Sequence, residues 1–256
     1  MDFHISGKSI EIVNSYTYLG TIFNYNENFC SARKKIVDQS QKALFAMYRK
    51  IKNITLPVDL QLQLFDTLIV PILLYSSEVW GFENKYTCII EKMHLQFCKN
   101  LLKVRNSTPN FMVYGELGNF NKTKKMVTFW GKTLQKENTI SNIMLRLMLK
   151  LHGNNQNFEW IGYLKSIFDE TGLSYLWTEQ QNVDIDWLKL TVKQRLTDKF
   201  YQHWFSQIHN TSGGGFYLLF KKKFCLERYL LRLFSIGEIF YYKIAMFKLE
   251  ACHRNG

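Results

Sequence analysis

The chain has 256 residues, enough to bury a sizeable core, and 46% are hydrophobic, with 20 Phe, 14 Tyr and 6 Trp, which argues against a disordered protein. Lys and Arg number 33 against 21 Asp and Glu, a formal net charge of +12, so a polyanionic partner is favoured, either nucleic acid or an anionic membrane surface. The longest apolar run, Leu68 to Tyr75, has 8 residues against the roughly 20 that span a bilayer, and the N-terminus carries no basic segment ahead of an apolar one, so neither a membrane span nor a secretory signal is expected.

The first two dozen residues read as strands. "FHIS", Gly7-Lys8 and "SIEIV" predict a hairpin, and "YTYLGTIF" is a second aromatic and β-branched run. From about Phe29 to Asn53 the period changes: Val37, Ser40, Leu44, Met47 and Ile51 recur at helical spacing. Seven cations (Arg33, Lys34, Lys35, Lys42, Arg49, Lys50, Lys52) accompany one acid, Asp38, which predicts an amphipathic helix with a cationic outer surface. Pro57 opens a second helix that runs to Pro71, where the proline ring is expected to kink or restart it. A third helix is predicted over Lys85 to Leu102. Pro109 then opens a short helix ended by Gly115 or Gly118. Further helices are expected near Lys122 to Lys136, Ser141 to Leu151, Glu159 to Thr171, Asp186 to Ile208 and from Phe216 onward, with loops at "HGNNQN" and "NTSGGG". The fold class is therefore mainly α: a short N-terminal β-hairpin, a helical bundle and additional helices.

Signals for catalysis are weak. "SGGGF" lacks the Lys and Ser or Thr of a phosphate-binding loop and reads as a linker. Asp184 and Asp186 in "VDIDW" could share a divalent cation, but a helical pattern starts there and capping explains them better. Cys225, Cys252 and His253 fit no zinc spacing, and His94 with Cys98, one turn apart, reads as a core pair. The five cysteines are odd in number and scattered, as in free thiols of an intracellular protein, nuclear or cytoplasmic. The basic signals recur instead. "NKTKKMVTFWGKTLQK" holds five lysines around Phe129 and Trp130, and Lys221 to Lys223 form another run; lysines beside exposed aromatics suit a nucleic-acid surface.

"YTYLGTIF", "LFDTLIVPILLYSSEVWG", "PNFMVYGELG" and "FWGK", in this order and spacing, resemble the region that follows the catalytic palm in reverse transcriptases of non-LTR, LINE-like and jockey-like retrotransposons. The resemblance covers about residues 1 to 135. It implies that Tyr18, Leu19 and Gly20 belong to a palm–thumb border hairpin that helps hold a primer end. The cations Arg33, Lys34, Lys35, Lys42, Arg49 and Lys50 would then lie on a thumb that grips RNA or an RNA–DNA duplex by its phosphates. Tyr16, Ile22 and Phe23 are expected to give the hairpin an apolar face, and Ile72, Leu73, Tyr75 and Trp80 to lock thumb against post-thumb, with Gly81 ending that segment. Ser76 stands where relatives of that family usually have glycine. The implied division is a palm-edge remnant over 1–27, a thumb-like bundle over 28–105 and a post-thumb region over 106–256. No Asp-Asp dipeptide occurs in the chain, so the Mg²⁺ that an intact parent enzyme would use finds no palm carboxylates here. The chain reads as a fragment that binds template–primer, needs no cofactor for that and does not polymerise alone. The other reading is a degenerate helical interaction module with incidental charge.

Overall fold

The computed structural model describes residues 3–5, 7–25, 29–54, 56–77, 84–118, 125–136, 139–153, 159–179, 183–211, 214–231 and 243–249. Two antiparallel hairpins open the chain: β1 (Phe3–Ile5) pairs with β2 (Lys8–Ile10), and β3 (Ser15–Tyr18) with β4 (Thr21–Asn24). The remainder of the described chain is helical, as the sequence pattern predicts. Helix α1 spans Cys30–Ile51, α2 Val58–Leu64, α3 Val70–Leu73, α4 Asn84–Leu102, α5 Asn110–Leu117, α6 Lys125–Gln135 and α7 Ile140–Gly153. Then follow α8 (Glu159–Glu170), α9 (Ser174–Glu179), α10 (Ile185–His209), α11 (Gly214–Phe220), α12 (Arg228–Leu231) and a last helical segment over 243–249. The single helix expected from Phe216 onward is interrupted, since Lys221 to Glu227 is not helical.

Pro71 acts differently from a simple kink. It has no N–H for the carbonyl of Thr67 and its ring crowds that carbonyl. The chain relieves the conflict one turn earlier: Phe65–Ile69 is a π-helical turn in which the Val70 N–H reaches back to the Phe65 carbonyl, so α2 and α3 join through a widened segment. Both Phe65 and Ile69 of this turn are buried. At the end of α3 the chain turns through Ser76 at φ 51°, the left-handed region that glycine adopts without strain. Trp80 and Gly81 lie outside the described residues. Tyr75, expected to face the post-thumb helices, points back to the β3–β4 hairpin instead.

Helix α5 sits at the centre of the larger apolar cluster. Pro109 precedes its first turn and Gly118 ends it at φ 59°, so Gly118, not Gly115, is the terminator. Every residue from Phe111 to Leu117 is buried, and a helix apolar all round is stable only when surrounded. Trp204 Nε1 donates to the Phe111 carbonyl at 2.8 Å and Tyr217 Oη to the Met112 carbonyl at 3.2 Å. Glu116, with no exposed surface, accepts from Tyr229 Oη at 2.5 Å and from Lys248 Nζ at 3.3 Å. Glu227 joins this group: its side chain accepts from Lys221 Nζ, and its N–H donates to the Glu116 carbonyl at 3.0 Å.

The cores divide along a line that sequence order does not follow. One cluster combines α1 to α5 with Trp204, Ile208, Tyr217, Leu230, Ala245 and Leu249. The other gathers Trp130, Leu134, Leu145, Leu149, residues of α8 and α9, and Leu188 and Val192. Helix α10 contributes to both, its first half to the second cluster and its last turns to the first. Gly131 lets α6 approach it, since a Cβ there would lie 2.7 Å from Ile185 Cδ1.

Gly115 has the sharper steric requirement: a Cβ would stand 2.5 Å from Tyr217 Oη and 2.9 Å from Trp204 Nε1, both rings buried and hydrogen-bonded to α5. Gly115→Ala is expected to cost about 1–3 kcal/mol through overpacking, outweighing the gain of up to about 1 kcal/mol in helix propensity. A lowered urea midpoint measures this; an unchanged or raised midpoint would refute the close packing.

Candidate nucleic-acid interface

Consecutive residues on an α-helix point about 100° apart, so the three cations that open α1 cannot share one face. Lys34 is exposed and Lys35 half-exposed, but Arg33 is buried at 3% exposure. It falls on the apolar stripe with Ile36, Ser40 and Met47, its Nη2 3.6 Å from Cys30 Sγ. The expected place of Arg33 on the cationic surface is therefore corrected: its guanidinium faces the packed side of α1. Lys42, Arg49 and Lys50 are exposed as predicted, and the outer row Lys34, Asp38, Lys42, Phe45, Arg49 follows the three- and four-residue spacing of one helical face. Phe45, 64% exposed between Lys42 and Arg49, was not among the residues expected on that surface. Its signal in the sequence is its phase, since it falls on the charged side and off the apolar one.

The β3–β4 hairpin adjoins the start of this helix. Tyr18 pairs with Thr21 across a two-residue turn in which Leu19 (φ 47°) and Gly20 (φ 80°) are both left-handed, the geometry of a type I′ hairpin. Gly20 takes this conformation freely, whereas Leu19 carries a steric cost of about 1–2 kcal/mol. Hydrogen bonds at the tip hold it: Tyr75 Oη donates to the Leu19 carbonyl at 2.5 Å and Thr21 Oγ1 donates to Ser76 Oγ at 3.0 Å. Leu19 itself is 72% exposed, so the strained residue is presented outward. Asn24 Nδ2 donates to Ser31 Oγ at 3.0 Å, and Phe23 packs edge-on to Phe29 with centroids 5.8 Å apart. Strand alternation puts Tyr16 and Phe23 on one face and Ile22 on the other, so the three residues expected to form a single apolar face are split.

The other basic runs are less superficial than their composition suggests. Lys221 has no exposed surface; its Nζ donates to the Cys225 carbonyl at 2.6 Å and pairs with Glu227. Lys222 and Lys223 remain outside. Trp130, read as a surface ring among lysines, is fully buried against Phe168 with centroids 4.8 Å apart, and the Phe129 side chain lies outside the described residues.

The catalytic alternatives resolve into structure. Asp184 caps α10, its Oδ1 accepting from the N–H groups of Asp186 (2.8 Å) and Trp187 (3.2 Å). Asp186 pairs with Lys189, whose ammonium lowers its carboxyl pKa. His94 and Cys98 are both buried, Sγ 3.6 Å from Nε2, with the imidazole stacked near Tyr114 and tilted to Phe65. Burial pushes the Cys98 thiol up, away from a reactive thiolate, and brings His94 down to about 4. Cys252 and His253 lie outside the described residues. Among the described residues no group of three or more metal-ligating side chains occurs, and no helix is long and apolar enough to cross a membrane.

Two outcomes separate buried from exposed groups. Arg33→Ala is expected to lower stability by about 1–3 kcal/mol and Lys34→Ala to leave it within about 0.5 kcal/mol, as read by urea unfolding. His94 is neutral when folded down to about pH 4, whereas in the unfolded chain it protonates near its ordinary 6.5. Its contribution is thus complete above pH 6.5 and lost as pH falls toward 4, on the order of 3 kcal/mol. His94→Gln should remove that part of the acid-side slope; an unaltered slope would place the titration elsewhere.

Comparison with protein-family models, with curated proteins and with solved structures finds no match for this chain.

Proposed function

We propose that this chain binds RNA or an RNA–DNA duplex through phosphate contacts along the polar face of α1, as the thumb-side part of a reverse transcriptase of the non-LTR retrotransposon type. It holds template–primer and does not polymerise alone. The observation that carries this reading is the exposed row Lys34, Lys42 and Arg49, with Lys35 and Lys50 to its side and only Asp38 opposing it. From Lys34 to Arg49 the row rises about 22 Å at about 1.5 Å per residue, enough to meet several successive phosphates. A cationic helix face reads backbone charge and no base sequence, which suits a duplex grip. The tip Tyr18-Leu19-Gly20, held by Tyr75 and Ser76 next to that helix, supports the same arrangement. The absence of an Asp-Asp pair from the sequence is the reason to expect no nucleotide transfer.

A second reading, a helical interaction module, draws on α7. Ile140, Ile143, Met144 and Leu147 form an exposed apolar stripe at helical spacing, whereas Leu145 and Leu149 face the core.

Neutralising Lys34, Lys35 and Lys42 together should reduce the slope of log affinity against log salt for an RNA–DNA hybrid by up to about three units, one for each phosphate no longer neutralised, with the fold intact. Anisotropy over a salt series reads this, and Lys222→Gln with Lys223→Gln serves as the contrasting variant. An unchanged slope in the first variant, with binding abolished in the second, would move the interface to the C-terminal region. Primer extension by the purified chain with Mg²⁺ and nucleotides is expected to be nil; reproducible extension would end the non-catalytic reading.

A further inference from the structure

We propose that the β3–β4 hairpin is a stacking platform for unpaired bases, formed by Tyr16, Tyr18, Phe23 and Tyr25. This rests on the nucleic-acid reading of α1 and adds to it a single-stranded substrate. In the hairpin register Tyr16 lies opposite Phe23 and Tyr18 opposite Thr21. Tyr25 continues β4 by one more face repeat, its N–H donating to the Asn14 carbonyl at 2.9 Å. Side chains alternate along a strand, so the four rings belong to one face. All four are exposed, at 62% for Tyr16, 58% for Tyr18, 39% for Phe23 and 82% for Tyr25.

A two-stranded hairpin gains stability by burying its apolar face. This one buries Thr21 and packs Phe23 edge-on to Phe29 but leaves Tyr16, Tyr18 and Tyr25 largely in water on that face, more than the scattered apolar exposure of an ordinary surface. Charge on the adjoining element selects the occupant. Phe23 leads by its edge contact to Phe29, and Asn24 by its hydrogen bond to Ser31, into the first turn of α1, where Lys34 and Lys35 follow. Flat rings beside cations match the bases and phosphates of one nucleic-acid strand. Residues two apart on a strand are about 6.6 Å apart, room for one base of about 3.4 Å thickness between neighbouring rings. A duplex offers its bases only edge-on in its grooves, so the platform takes a single strand or a frayed end.

The test compares a labelled oligouridylate strand with a blunt RNA–DNA hybrid, by anisotropy over a salt series. Tyr16→Ala with Tyr25→Ala should weaken oligouridylate binding by about 5- to 150-fold for each base that no longer stacks, at every salt concentration and with the slope unchanged, because stacking releases no counterions. Tyr16→Phe with Tyr25→Phe should retain wild-type affinity, and the alanine pair should change hybrid binding less than about twofold. Oligouridylate should also quench tyrosine emission of the wild-type chain where the hybrid does not, a readout that needs no variant. Equal losses on both probes, no loss on oligouridylate, or no selective quenching would overturn the platform while leaving the α1 grip standing. Failure of the wild-type chain to bind either probe would overturn the nucleic-acid reading itself.

Discussion

A buried carboxylate organises this molecule. Glu116 lies inside a helix that is surrounded on every side, and an ionised group there is tolerable only if charge and hydrogen bonds meet it. Lys248 and Tyr229 supply both, from positions 132 and 113 residues away, and Glu227 returns a backbone bond to the same residue. The C-terminal segments are therefore bound to the N-terminal bundle by the needs of α5, and Tyr229 is held protonated by its burial and by the Glu116 charge. Trp204 and Tyr217 satisfy α5 carbonyls from the opposite elements, and Gly115 leaves their rings the space to do so.

From that core the structure builds outward to the hairpin through a chain of local constraints. Pro71 forces a π-helical turn, the turn carries Phe65 and Ile69 into the apolar cluster, and the segment after it delivers Tyr75 and Ser76 to the hairpin tip. Ser76 adopts a left-handed conformation that glycine would take at lower cost, and its hydroxyl, which glycine lacks, meets Thr21. A strained, outward Leu19 is kept in place by these bonds. The stretch "PILLYS" is a support for the hairpin, and the basic face of α1 starts where the hairpin ends.

The helices were legible because their apolar residues recur at helical spacing: α1 and α4 fall within two residues of their expected ends, and Pro109 and Gly118 bracket α5 by their backbone chemistry. The turn at Leu19-Gly20 was not legible in the residues, where "YTYLGTIF" reads as one run and only the family resemblance suggests a hairpin, since the bond that holds the Leu19 carbonyl comes from Tyr75, 56 positions on. Arg33 and Trp130 were misread because a run of residues looks continuous along the chain, whereas a helix distributes it around its circumference. Lys221, outside any helix, was misread because a buried lysine finds its partner only through folding, as Lys221 finds Glu227. Phe45 shows the converse, an aromatic whose helical phase places it among cations. Helix α9 has six residues, too few for a periodic signal.

In the proposed grip α1 presents the cationic contact surface and the other basic runs do not. Lysine acetylation followed by mass spectrometry, with and without a saturating RNA–DNA hybrid, measures this residue by residue. The hybrid is expected to protect Lys34, Lys35 and Lys42 and to leave Lys189, Lys193, Lys222 and Lys223 reactive, with Lys221 unreactive in both states because it is buried. Protection centred on Lys222 and Lys223, with Lys34 and Lys42 unaltered, would contradict the proposed grip.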